Sequence, residues 1–138
     1  MRPRLALTIV WLAAFLISLG LVLLHQLKGD ISQAVSLNCI ERLAALFSAY
    51  LAGMLGFWYL KPFPAARTKR GDSIRFWLAM VCAVVFNGMI LLYVGRAHVT
   101  YQPGDPDVLD NVKAAVQIAG WLSFLVAPAN LYYFGLKP

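Results

Sequence analysis

Four long apolar runs, parted by short polar stretches, organise the chain. Leu5 to Leu24 (LALTIVWLAAFLISLGLVLL) is a 20-residue run without a charge, long enough to cross a hydrocarbon layer of about 30 Å. It follows a basic start, but it is longer than a signal-peptide core and no A-x-A cleavage site ends it, so it reads as a retained span. Leu43 to Leu60 is the second run. Its helix is expected to begin earlier, with Asp30 as cap and Gln33 completing a capping-box pattern, and Lys61-Pro62 ends it. Phe76 to Val94 is the third, capped by Asp72 or Ser73. Ala114 to Phe134 is the fourth, with Asp107 or Asp110 at its start and Pro128 inside it. That proline predicts a kink, tolerable in lipid only where neighbours satisfy the freed carbonyl.

The pattern predicts an all-α integral membrane fold: one domain over residues 1–138, with spans at about 5–25, 32–60, 74–95 and 111–134 in an antiparallel bundle. Composition agrees. Hydrophobic residues make up 61%, charged residues 13%, and the mean hydropathy is +0.70. A soluble domain of this size cannot hide so much apolar surface, so the first expected partner is the lipid bilayer.

The net charge of +6 changes meaning once the residues are placed. Arg2, Arg4, Lys61, Arg67, Lys69, Arg70, Arg75 and Lys137 fall on one side of the four spans. Lys28, Arg42, Arg96 and Lys113 fall on the other, with Asp30, Glu41, Asp105, Asp107 and Asp110. The positive-inside rule then sets both termini and the KPFPAARTKRGDS loop in the cytoplasm, in a plasma membrane of the bacterial inner-membrane kind. Topology accounts for the basic residues without nucleic acid. Lys61, Arg67, Lys69 and Arg70 could also touch anionic lipid. The loop between residues 99 and 111 faces outward, and its Pro-Gly-Asp-Pro run reads as a tight turn.

Helices do not associate in lipid through the hydrophobic effect; close backbone approach and polar contacts must hold them. The second span has both. Ser48, Ala52 and Gly56 recur every fourth residue, beside a row of Ala45, Ala49 and Gly53. This smooth face is expected to pack against span one or span four of the same chain, or otherwise against another subunit. The span opens with Asn38, Glu41 and Arg42 on one side. Glu41 lies roughly 28 Å from Leu60 at 1.5 Å per residue, near the outer edge of the hydrocarbon. The expected partners are Arg96 or His98 for Glu41, and Asp105, Asp107 or Asp110 for Arg42. With His25, these residues would form an outer polar cluster: His25, Asn38, Glu41, Arg42, Arg96 and His98. Deeper polar groups are Asn87, Gln117 and Asn130.

No catalytic constellation is legible. Cys39 and Cys82 have no CxxC or metal spacing and read as two buried thiols. His25 and His98 share a depth but lack a third ligand and any CxxCH, so no metal or cofactor is expected. One local pattern does carry a resemblance. Asn38-Cys39-Ile40-Glu41, followed by LFSAYLAG, resembles the opening of the second helix in the four-span membrane-associated proteins of eicosanoid and glutathione metabolism. The resemblance implies that Asn38 and Glu41 help hold glutathione in a trimer. It covers about twenty residues. ISQAVSL stands where that family has a Glu-Arg segment, the first loop is short and unlike the family's basic one, and the Arg-rich third helix is missing. The positive-inside orientation also sets Glu41 on the face opposite the family's glutathione side.

Three functions follow as expectations. The first is a non-enzymatic membrane subunit, working as an oligomer or as an accessory to a larger complex. The second is a small oligomeric channel, with Asn87 or Gln117 lining the pore and the outer cluster at its mouth. The third is a glutathione-type membrane transferase.

Overall fold

The computed structural model describes residues 3–60, 70–99 and 108–134, without the side chains of residues 3, 57–60, 70–73 and 97–99. It contains α1 (Pro3–Leu27), α2 (Gln33–Leu60), α3 (Arg70–Val99) and α4 (Val108–Phe134). All four are long and apolar enough to cross a membrane, and they pack as a bundle. Their ends lie within four residues of the expected bounds, α2 starting one residue later than expected. The largest difference is in α3, which runs four residues beyond its expected span at each end. Arg70, Gly71 and Asp72 on one side, and Gly95 and Arg96 on the other, interrupt the apolar run. None is a proline, so the helical hydrogen bonding continues through them.

Two of the expected helix starts are corrected. Asp72 and Ser73 lie inside α3 and cannot cap it. Asp30 does not cap α2. Ser32 does, its Oγ accepting from the Val35 N–H at 3.4 Å and its carbonyl from the Ser36 N–H at 3.0 Å. At α4, position 107 lies outside the described residues. Asp110 stands in the first turn, where the helix dipole favours a carboxylate, and accepts from Lys113 Nζ at 2.7 Å. The helix passes through Pro128 unbroken to Phe134.

Asp30 belongs instead to the end of α1. Gly29 takes the left-handed conformation, φ +80°. The Gly29 N–H donates to Gln26 O at 3.1 Å and the Asp30 N–H to His25 O at 3.0 Å. These are the paired bonds of a Schellman cap. In that motif the two outermost residues often touch through apolar side chains. Here they are His25 and Asp30, joined Nδ1 to Oδ2 at 3.0 Å. The turn between α1 and α2 is therefore closed twice, by backbone and by side chain.

The helices do not pack in chain order. α1 lies against α2 and α3, and α4 lies against the same two, while the backbones of α2 and α3 stand apart at opposite corners and their Tyr50 and Phe86 rings meet edge-on across the core, centres 5.6 Å apart. Trp11 meets Phe47 and Tyr50, so α1 and α2 are antiparallel. Trp11 also meets Phe86, and Leu21 lies under Gly95, so α1 and α3 run the same way. Arg75 meets Tyr132, so α3 and α4 are antiparallel.

Trp11 is the hub. Its indole stacks on Tyr50 with ring centres 4.6 Å apart, tilts against Phe86 at 5.3 Å, and takes Phe47 edge-on at 6.1 Å. Leu43, Phe47, Leu51 and Met54 of α2 and Ala83, Phe86, Ile90 and Val94 of α3 fill the core around it. Neither cysteine is in a disulfide; Cys39 is buried and Cys82 half-buried.

Candidate functional site

The structure separates the five described residues of the outer polar cluster, one inward and four outward. His25 turns inward. It is buried, tied to Asp30, and shares the α1–α2 turn end of the bundle with the buried Ser36 and Asn111. Asn38, Glu41 and Arg42 turn outward and are exposed on α2. Arg96 is exposed near the end of α3, and the side chain of His98 lies outside the described residues. Among the described residues of that cluster, His25 is buried apart from the exposed Asn38, Glu41, Arg42 and Arg96.

Of the expected ion pairs, those with Asp105, Asp107 and the side chain of His98 lie outside the described residues, and Glu41 with Arg96 and Arg42 with Asp110 are not formed. Arg42 Nε donates to Asn38 Oδ1, one turn back on its own helix, at 2.8 Å. Asp110, one of its expected partners, is taken by Lys113. Glu41 makes no hydrogen bond or ion pair with any described residue. It stands exposed at the start of a helix whose remaining length is suited to hydrocarbon.

The small-residue face corrects the expectation of packing within the chain. Ala45, Ser48, Ala49, Ala52 and Gly53 are exposed and Gly56 is half-exposed. The physical reason is volume. α2 meets α1 and α4 through Leu43, Phe47, Leu51 and Met54, which give far more contact per residue than alanine can. At about 100° per residue, the large side chains and the small ones stand on opposite sides of the helix. Ser48 satisfies its own hydroxyl by donating to Ala45 O at 2.9 Å. Glu41 and Arg42 flank the small stripe, one on each side.

The deeper polar residues do not share a face. Asn87 is buried inside the bundle, donating Nδ2 to Ala83 O at 2.8 Å, while its Oδ1 accepts nothing from the described residues. Gln117 is exposed on the outside of α4, and Asn130 is half-buried near the far end. Among the described residues, then, no polar line runs through a single copy.

One contact escaped the sequence. Arg75 Nη1 donates to the Tyr132 hydroxyl at 2.9 Å, with the guanidinium 5.3 Å from the ring centre. It fastens the start of α3 to the end of α4. Residues 61–69, with Lys61, Arg67 and Lys69, lie outside the described residues, as does the side chain of Arg70. Among the described residues no three His, Cys, Asp or Glu side chains gather as a metal site.

No protein-family model, curated protein or solved structure matches this chain.

Proposed function

We propose that the protein is a non-enzymatic, four-span membrane subunit that works in an assembly. One observation carries the reading: a continuous outer face of α2 that holds small residues and charges where a lipid-facing helix would hold bulk. Lipid gains little from alanine and glycine, and an ionised carboxylate at its border is costly without a partner. A protein neighbour gains from both, through close backbone approach and ion pairing.

In this reading both termini and the loop at 61–69 lie on the cytoplasmic side of a plasma membrane of the bacterial inner-membrane kind. The distribution of Lys and Arg supports that side, and the basic loop is set to meet anionic headgroups. The test is the native mass of the complex, drawn gently from its own membrane. A species heavier than one 15.3 kDa chain, beyond its lipid and detergent, is expected. A lone chain overturns the reading. Thiol-conjugating activity that disappears in Glu41→Gln would replace it with a transferase.

A further inference from the structure

We infer that the outer face of α2 pairs with the same face of a second copy, side by side in the membrane about a two-fold axis. This rests on the subunit reading and names the partner. Three independent features of the face point to a copy of this chain. The first is its smoothness. A Cβ added at Gly53 or Gly56 would meet nothing within 4 Å, so this chain makes no internal use of the room these glycines leave. Gly20 and Gly120 are as open, but they stand among large exposed neighbours such as Leu16, Ile17, Trp121 and Phe124. On α2 the open glycines continue a row of exposed Ala45, Ser48 and Ala52, the surface two helices need for close backbone approach.

The second is the charge at the end of that row. Glu41 has no partner among the described residues of its own chain, while Arg42, its neighbour, is held in place by Asn38. The two lie on opposite flanks of the small stripe, about 100° apart around the helix. A two-fold axis running along the membrane normal sets two α2 helices parallel, with residues of equal number at equal depth. It also brings the left flank of one copy against the right flank of the other. Glu41 of each copy then faces Arg42 of its partner, and the pairing repeats on the other side of the axis. This is the flanking-charge geometry that selects partners in parallel coiled coils. A different subunit would need to match both charges and the stripe separately; a second copy matches them by symmetry.

The third is position. α2 sits at a corner of the bundle, and its outer face is diametrically opposite its core-facing residues. Two bundles can therefore meet along α2 without α1, α3 or α4 in the way.

The test uses the full-length protein in its native membrane. Ala45→Cys and Ala52→Cys are oxidised in place, beside Leu16→Cys on α1 and Val85→Cys on α3, which are exposed on other faces. The unmodified chain, with its own Cys39 and Cys82, sets the background. Cross-linking is expected at the two α2 positions and at neither control. Glu41→Arg and Arg42→Glu should each lose the Ala45→Cys cross-link, and the double exchange should restore it. The native mass should correspond to two chains. Cross-links at the controls, or none at α2 while the chain is recovered with other proteins, would overturn the pairing and leave the subunit reading standing. A single chain with nothing attached would end both.

Discussion

α2 and α3 stand at opposite corners of the bundle, and their cross-sections are inverted. α3 turns bulk outward: Ile74, Trp77, Leu78, Val81, Val84, Val85 and Leu92 are all exposed. Its mid-span amide, Asn87, is turned inward. α2 turns Leu43, Phe47, Leu51 and Met54 inward and shows Asn38, Glu41, Arg42, Ser48 and a row of small residues outside. Among its described side chains, only Leu37 and Leu55 interrupt that surface with large exposed apolar groups. The outside of α3 is what acyl chains solvate well. The outside of α2 has the small residues that allow close approach of another helix. The lesson is that apolarity alone does not separate lipid from protein as a neighbour; side-chain size and unspent charge do.

The inner faces are alike, and this sets the largest expected effect. Phe47 and Tyr50 of α2 and Phe86 of α3 converge on Trp11. Trp11→Ala removes the side chain that touches all three of these rings and leaves the Tyr50–Phe86 contact alone to join α2 to α3 in this cluster. It should cost about 3 kcal/mol or more in a denaturation titration in mixed micelles. A loss below about 1 kcal/mol would mean that the corners are held by something other than this hub.

The next effect separates the two outer faces. Gly53→Leu adds bulk to a place where the chain itself has room, and Val84→Ala removes bulk from the outside of α3. The first should weaken self-association on the order of tenfold, about 1.4 kcal/mol, with the helical content and denaturation midpoint of the single chain unchanged. The second should leave association where it is. Equal behaviour of the two variants would erase the distinction between the faces.

How much of this was legible in the sequence depends on the length scale of the feature. Four spans follow from apolar runs that no loop of a soluble protein could contain. The direction of the small stripe on α2 was not legible, because alanine and glycine allow close packing inward as well as outward. The opposing Leu43, Phe47, Leu51 and Met54 held the answer, since the larger face claims the core. Neighbour relations were not legible either. Nothing local states that α2 and α3 take opposite corners, and Arg75 meets Tyr132 across 57 residues of sequence. Asp30 had two local uses, as a cap for α2 or as a partner for His25. Gly29 decides between them, because its left-handed turn brings Asp30 back over His25 while Ser32 takes the cap.

Gly29 thus sets the turn after which Ser32 caps α2. Gly29→Ala places a Cβ in open space, so its effect is conformational strain alone. The left-handed φ should cost about 1 kcal/mol, read in the same denaturation titration. Gly29→Asn, which tolerates that conformation better, should recover part of the loss. If both variants cost the same, the cap does not hold the turn and the His25–Asp30 contact must.

The smallest effect concerns the polar group that α3 hides. Asn87 is 3% exposed, and its Nδ2 is satisfied by Ala83 O on its own helix. Its Oδ1 is buried with no hydrogen-bond partner among the described residues. An amide that binds its own backbone contributes little to holding helices together, and the bare acceptor opposes burial by about 1–3 kcal/mol. Leucine has nearly the same length and no polar atoms. Asn87→Leu should therefore leave stability unchanged or raise it by up to about 1 kcal/mol, with α2-mediated association untouched. A pore-lining amide behaves otherwise: its loss would alter conductance of the reconstituted protein. Conductance that is present in the parent and changed in Asn87→Leu would assign α3 an inward-facing role, and it would make the pairing on α2 the scaffold of a conducting assembly.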